Sequence, residues 1–226
     1  MLRAIVFDFD GVIANSEPLH FQAYRDVLAN EGVTLSERDY YDRYLGYDDA
    51  GAFRNIGVER GLAWTREHIE SLIARKATTL EALERDVSVL FPGAADAVRR
   101  ASAAMPIAIA SGARGGEIRR VLDREDLTRC FTAIVAAEDT AVSKPAPDPY
   151  LRALALLADA AGGRLAARDC VAIEDSRWGL ESARAAGLRT VAVTNTYGQS
   201  TLSMADLVVV SLDAIDLDVL ARLCIG

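Results

Sequence analysis

The chain is poor in cysteine, tryptophan and histidine, and it contains neither a basic run nor a long apolar one. Its 226 residues include 3 Cys, 2 Trp and 2 His. Cys130, Cys170 and Cys224 stand far apart, in none of the spacings that hold a metal, and an odd number cannot all pair within the chain. They read as small buried or semi-buried thiols, and a reducing compartment is expected. Lys and Arg together number 25 against 33 Asp and Glu, for a formal charge of −8. Nucleic acid and anionic membrane surfaces, which need clustered cations, are therefore not expected as partners. The N-terminus lacks a basic segment followed by an apolar one, and no run approaches the ~18 apolar residues of a membrane span. A cytoplasmic location follows as the expectation. No repeat, linker or coiled-coil pattern is visible, so a monomer is expected.

What the chain does have is 51% hydrophobic and 26% charged residues, enough for one large domain or for one carrying a smaller insert. The most informative stretch opens it. Ala4-Ile5-Val6-Phe7 is an apolar run that ends in Asp8, Phe9, Asp10 and Gly11. Such a run reads as a strand buried on both faces, as in a parallel sheet between helical layers. Asp8 and Asp10, two residues apart on a strand, start on the same side, and Gly11 lets the chain turn out of the sheet. Two like charges that close repel unless a cation is near, which marks the pair as a candidate metal and phosphate site.

From Ser16 to about Glu31 the pattern is helical, with Pro18 in the first turn and Leu19, Ala23, Val27 and Leu28 on one stripe. Ser36, with Asp39 three residues on, opens a second helix through Leu45. Gly46 breaks it, Asp48-Asp49 can start a third toward Arg60, and Thr65 to Leu83 is a longer one. Residues 16 to 86 thus form an all-helical block. After the turn Phe91-Pro92-Gly93, helices and strands alternate to the end, the signature of βαβ units and a parallel sheet. Helices are expected at Ala94 to Ala104, Glu117 to Arg124, Tyr150 to Leu157 and Leu180 to Ala186. Strands are expected at Ile107 to Ala110, Thr132 to Ala136, Val171 to Ile173, Thr190 to Val193 and Leu207 to Val210. The expected fold is α/β: a parallel-sheet core of residues 1–15 and 87–226 with an inserted helical domain, 16–86.

Three apolar runs end in polar residues, and the carboxyl ends of parallel strands are where such sheets bind ligands. The first delivers Asp8 and Asp10, the second Ser111-Gly112, and the third Glu174-Asp175-Ser176. Four carboxylates gathered at one edge call for a hard divalent cation with oxygen ligands, most plausibly Mg²⁺. Lys144, in Ser143-Lys144-Pro145-Ala146-Pro147, supplies a positive charge from a proline-stiffened loop. Each element has an ordinary reading: Ser111 as a helix cap, Lys144 as a solvated surface lysine, Glu174-Asp175-Ser176 as the cap of the next helix. Their shared placement at strand ends, in order, favours a site.

The runs Phe7-Asp8-Phe9-Asp10-Gly11-Val12, Ala110-Ser111-Gly112, Ser143-Lys144-Pro145-Ala146-Pro147-Asp148 and Ile173-Glu174-Asp175-Ser176 resemble the four motifs of the haloacid dehalogenase-like superfamily. The match is to its phosphatase and β-phosphoglucomutase-like branch and extends over essentially the whole chain. The resemblance implies a Rossmann-like core with a helical cap at 16–86, Asp8 as nucleophile, Asp10 as acid and base, Ser111 on the phosphoryl group and Lys144 offsetting charge. It implies Mg²⁺ held by Asp8, the main-chain carbonyl of Asp10, Asp175 and Glu174. Gly11, Gly112, Ala113 and Arg114 fall beside the phosphate position, and His20, Gly46 and Lys76 fall where the mutase-like branch has matching cap residues.

An acid at Asp10 disfavours dehalogenation, in which the halide leaves without a proton. The expected activity is Mg²⁺-dependent hydrolysis of a small phosphorylated metabolite through an aspartyl phosphate. The alternatives are a sugar phosphomutase and a non-catalytic binding protein of the same fold. Asp48 and Asp49 stand where a mutase carries an arginine for its second phosphate, and Arg43, Arg54 and Arg75 are the substitutes available. His20 and Lys76 also have plain readings, as a helix-surface histidine and a solvated lysine.

Overall fold

The structure, a computed structural model, describes residues 1–85 and 87–225. Asp86, the expected last residue of the helical block, and Gly226 lie outside the described residues. The chain divides into two compact units, Met1–Asn15 with Leu90–Gly226, and Ser16–Val89.

The first unit is an α/β layer structure. Its strands are β1 (Ala4–Phe7), β2 (Ile107–Ala110), β3 (Ala133–Val135), β4 (Cys170–Glu174), β5 (Arg189–Val193) and β6 (Leu207–Val209). They form one six-stranded sheet in the order β3-β2-β1-β4-β5-β6, every pairing parallel. The order reverses direction between β1 and β4. At such a switch point the connections leave toward opposite faces and open a crevice at the carboxyl ends. Phe7 is in register with Ile109 on one side and Ile173 on the other, which brings Asp8 level with the ends of both neighbours.

The sequence of β2, Ile107-Ala108-Ile109-Ala110, shows how the core is divided. Alternation sends the isoleucines to one face and the alanines to the other. The alanine face, with Ala4, Val6, Ala110, Val135 and Ala172, is shallow enough for the fully buried ring of Tyr150 to seat against it. The β1, β2 and β4 residues are all buried, so the strands read as continuous apolar runs, as two-sided burial requires.

The second unit is helical: α1 (Glu17–Ala29), α2 (Glu37–Asp39), α3 (Asp49–Glu59) and α4 (Arg66–Glu84). Expected caps form in three places. Ser36 Oγ accepts from the Asp39 amide at 3.1 Å, Asp48 Oδ1 from Gly51 at 2.7 Å and Thr65 Oγ1 from His68 at 3.2 Å. Its core joins Tyr24, Val27, Leu28, Leu35, Tyr40, Tyr44, Phe53, Ile56 and Leu72. Two expectations change here. The helix read from Ser36 through Leu45 is α2 followed by a π-helical turn, Tyr40–Tyr44. That wider turn carries two buried phenols whose hydroxyls donate to carboxylates on different helices, Tyr40 to Glu17 of α1 and Tyr44 to Glu59 of α3. On α1 the buried stripe runs through His20, Ala23 and Val27, while Leu19 is only half-buried.

The remaining helices belong to the first unit: α5 (Ala94–Ala104), α6 (Gly115–Arg124), α7 (Asp148–Ala160), α8 (Arg177–Ala185) and α9 (Leu217–Leu223). Sequence patterning misses α9, a two-turn helix, although Asp216 caps it by accepting from the Asp218 amide at 2.8 Å. Among the described residues no helix is long and apolar enough to cross a membrane.

Candidate active site

Asp8 follows β1 with its amide donating to Ile173 O of β4 at 2.9 Å, so the sheet continues one bond into the site. Its carboxylate is then fixed on one oxygen. Oδ1 accepts from the Phe9 amide at 2.7 Å and lies 2.9 Å from Lys144 Nζ. The chain next turns back tightly, with the Ile13 and Ala14 amides donating to Phe9 O at 2.9 Å each. Asp10 sits half-buried on this turn, bridged to Ala14. Gly11 has φ +75°, a conformation that side chains resist, and there is no room for one: a Cβ would lie 1.9 Å from Asp175 Oδ2 and 2.9 Å from Thr196 Oγ1. Asn195, beyond the end of β5, donates from Nδ2 to Gly11 O at 2.9 Å. Three strands thus hold the turn between them.

β4 delivers Glu174 and Asp175. Glu174 has no exposure, and its Oε1 accepts from Lys144 Nζ at 2.7 Å and from the Tyr150 hydroxyl at 2.5 Å. Ser176 Oγ approaches Oε2 at 3.5 Å and, as the sequence allows, caps α8 by accepting from Gly179 N at 3.1 Å. Lys144 is not the solvated lysine of its ordinary reading. It is almost wholly withdrawn from solvent, with 11% side-chain exposure, and bridges Asp8 and Glu174. The loop that carries it is tied down by Ser182 Oγ, which donates to Ala146 O at 2.6 Å.

Ser111, at the end of β2, is buried, and its Oγ accepts from the Ala113 amide at 3.0 Å. That contact occupies a lone pair and leaves the O–H as a donor. Gly112 and Arg114 are exposed on the same loop, Ala113 is buried, and Arg114 is the N-cap residue of α6.

Carboxylate oxygens of Asp8, Glu174 and Asp175 lie within 4.8 Å of one another, and all three residues are buried. This set fits a hard divalent cation on two grounds: every donor is an oxygen, and three buried carboxylates converge. Burial first, and then the charge of Asp8, push the Glu174 carboxyl up to about 7 despite the opposing pull of Lys144 and Tyr150. Burial works against a charged Lys144, yet Asp8 and Glu174 outweigh it and raise its pKa above the ordinary value. The Tyr150 phenol, raised by burial and then by Glu174 and Asp8, stays protonated and donates.

In the helical unit, His20 and Lys76 come together, with Lys76 Nζ 2.8 Å from His20 Nδ1. Both are buried, Lys76 at 1% exposure, so neither surface reading holds. Asp49 is their missed partner: its Oδ1 lies 2.9 Å from Lys76 Nζ and accepts from the Tyr24 hydroxyl at 2.6 Å. Gly46 is half-buried in the turn after the π-helical segment. Arg75 pairs with Glu31 at 2.6 Å, Arg43 pairs with Glu59 at 2.7 Å, and Arg54 is exposed on α3. Tyr150, Asn195 and the pairing of Asp49 with Lys76 escaped sequence reading, because each is defined by a partner distant along the chain.

A parallel doubly wound sheet with an inserted helical unit, and acids gathered where its strand order reverses, defines an α/β protein of Rossmann-like topology with an acidic centre suited to a divalent metal. Residues 5–193 match the haloacid dehalogenase-like hydrolase family, and the chain belongs to it, in the branch that holds phosphatases and phosphomutases. It is 34% identical to protein CbbY of Rhodobacter capsulatus, over 87% of each chain. It is 31% identical to hexitol phosphatase B of Escherichia coli K12, over 88% of this chain and 86% of that one. Among solved structures, a CbbY variant from Rhodobacter sphaeroides in complex with xylulose-(1,5)bisphosphate superimposes with a TM-score of 0.84 at 25% identity. That match covers 95% of this chain and 96% of the other.

Proposed function

We propose that the protein is a Mg²⁺-dependent phosphatase that hydrolyses a phosphorylated sugar or sugar alcohol through an aspartyl phosphate on Asp8. The observation that carries this reading is the position of Lys144 Nζ, 2.9 Å from Asp8 Oδ1 and 2.7 Å from Glu174 Oε1, beside the trio of carboxylates. A lysine shared in this way sets a positive charge beside the carboxylate that acts as nucleophile. Both contacts of Asp8 fall on Oδ1, and Oδ2 is the oxygen assigned to attack. As the Asp8–phosphorus bond forms and the bond to the leaving oxygen breaks, Asp10 gives that oxygen a proton. Asp10 then takes a proton from the water that hydrolyses the acyl phosphate, and Asp8 is restored. Ser111 donates its O–H to a phosphoryl oxygen, and Lys144 offsets the charge that builds there. Asp8, Glu174, Asp175 and the Asp10 carbonyl would hold Mg²⁺, which when bound neutralises phosphoryl charge and orients the group.

Substrate selection is assigned to the helical unit, with His20, Gly46 and Lys76 as its proposed contacts. Its charges support a phosphatase over a sugar phosphomutase. Asp49 takes up the charge of Lys76, and Arg43 and Arg75 are engaged by Glu59 and Glu31, which leaves Arg54 of the three candidate arginines to hold a second phosphate. The sugar class rests on the names of the hexitol phosphatase and of the bisphosphate-bound CbbY variant. The test is phosphate release from a panel of hexose, hexitol and pentulose phosphates with Mg²⁺, comparing wild type with Asp8→Asn and Asp10→Asn. Asp8→Asn should be inactive, and Asp10→Asn slower by roughly 10²–10⁴. If the wild type releases phosphate from none of them, the reading is wrong. Interconversion of β-glucose 1-phosphate and 6-phosphate would replace it with the mutase.

A further inference from the structure

The two oxygens of the Glu174 carboxylate are treated unequally. Oε1 receives both strong donors, Lys144 Nζ at 2.7 Å and Tyr150 OH at 2.5 Å, whereas Oε2 meets only Ser176 Oγ, at 3.5 Å, among the described residues. Against the same carboxylate stands Gly179, where a Cβ would lie 2.0 Å from Cδ and from each oxygen. The absence of a side chain there is what lets the carboxylate occupy its place. Tyr150 is itself immobile. Its ring has no exposure, packs among Ala108, Ala110, Ala172 and Ala183, and lies 5.3 Å from Lys144 Nζ. A phenylalanine would fill that space equally well, so core packing gives no reason for the hydroxyl. The hydroxyl's one service is to Oε1.

We infer that Tyr150 is a positioning residue of the site: with Lys144 and the bare Cα of Gly179, its hydroxyl locks Glu174 so that Oε2 is turned to the divalent cation. This rests on the metal-assisted reading above. Groups that orient a ligand carboxylate typically affect metal affinity by 10- to 100-fold, without touching the ion. A hydroxyl that only stabilised the fold would lower the melting temperature and leave affinity for the ion alone.

The experiment is calorimetric titration of Mg²⁺ into metal-free wild type and Tyr150→Phe, without substrate, beside their metal-free melting temperatures. Tyr150→Phe should bind Mg²⁺ about tenfold more weakly. Its metal-free melting temperature should stay within about 3 °C of wild type. In turnover, the Mg²⁺ concentration giving half-maximal rate should rise in step, while KM for the phosphate monoester at saturating Mg²⁺ is unchanged. Equal Mg²⁺ affinity in the two proteins overturns the inference. So does weaker binding accompanied by a collapsed metal-free melting temperature, which would make Tyr150 a fold support. A wild type that binds Mg²⁺ but hydrolyses no monoester sinks the phosphatase reading and leaves the positioning of Glu174 intact. A wild type that binds no Mg²⁺ sinks both.

Discussion

Replacing Gly179 with alanine should destabilise the protein, although helix propensity alone predicts the reverse. Gly179 lies in α8, where alanine is favoured over glycine by about 1 kcal/mol. The added Cβ would stand 2.0 Å from Glu174 Cδ and both oxygens, far inside any real contact. Glu174 is a strand residue in register with Ala192, so its backbone cannot step aside, and the side chain must swing. It then gives up the Lys144 bond, a charged one of about 1.5–3 kcal/mol, and strands the buried Tyr150 hydroxyl at a cost of about 1–3 kcal/mol. Net of the propensity gain, the loss is about 1.5–5 kcal/mol. Urea unfolding in the presence of a chelator measures it. Gly116→Ala in α6 is the internal control, because nothing lies within 4 Å of a Cβ there and the same change should stabilise by about 0.5–1 kcal/mol. In a Glu174→Ala background the colliding atoms are gone, and Gly179→Ala should change sign and stabilise. A stable Gly179→Ala single variant, with Gly116→Ala behaving as stated, would refute the wedge.

Lys76→Met should cost about 3 kcal/mol by thermal unfolding, since it leaves Asp49, only 18% exposed, without its ammonium. Lys76→Met with Asp49→Asn should recover most of that. Burial raises the Asp49 carboxyl, but Lys76 and the Tyr24 hydroxyl overcome it and hold the pKa below 3.8. A folded-state pKa below the unfolded one gives stability that is complete above about pH 3.8 and is lost as pH falls through the folded value. Asp49→Asn should therefore flatten the pH dependence of stability below pH 3.8 and leave its slope near neutrality unchanged. Mg²⁺ at a hundred times its dissociation constant should stabilise the wild type by about 2.7 kcal/mol. Gly11→Ala, which would push a methyl to 1.9 Å from Asp175 Oδ2 at φ +75°, should abolish that response in thermal shift.

The fold was legible because its signals are local. Ala4–Phe7 and Ile107–Ala110 are short apolar runs that stop at polar residues, and Ala94–Ala104 begins just after a glycine turn; periodicity finds all three to the residue. The π-helical turn at Tyr40–Tyr44 was not legible, because what accompanies it is tertiary: two phenols reaching Glu17 and Glu59. The same division runs through the site. Asp8, Glu174 and Asp175 announce themselves as acids at strand ends. Tyr150 reaches Glu174 across 24 residues and Asn195 reaches Gly11 across 184, and no pattern within one element could join either pair.

Charge shows why the two lysines were the hardest residues to read and among the most informative once placed. Taken singly, Lys76 and Lys144 read as the solvated lysines of any acidic protein, and it is the company of the other motifs that draws Lys144 to the site. Taking an ammonium out of water costs several kcal/mol unless carboxylates repay it. Burial of Lys76 to 1% exposure and of Lys144 to 11% therefore demands built partners, and each has them. The outcomes differ. Lys76 is paired with Asp49 and lies beside the ring nitrogen of His20, both in the helical unit. Lys144 faces two acids, and Asp175 adds a third carboxylate to the group. One ammonium stands beside a trio of buried acids whose oxygens converge within 4.8 Å, the donor set of a divalent cation. The set falls where the strand order opens the sheet, so a divalent cation there would tie the fold's buried acids together as well as serve the chemistry.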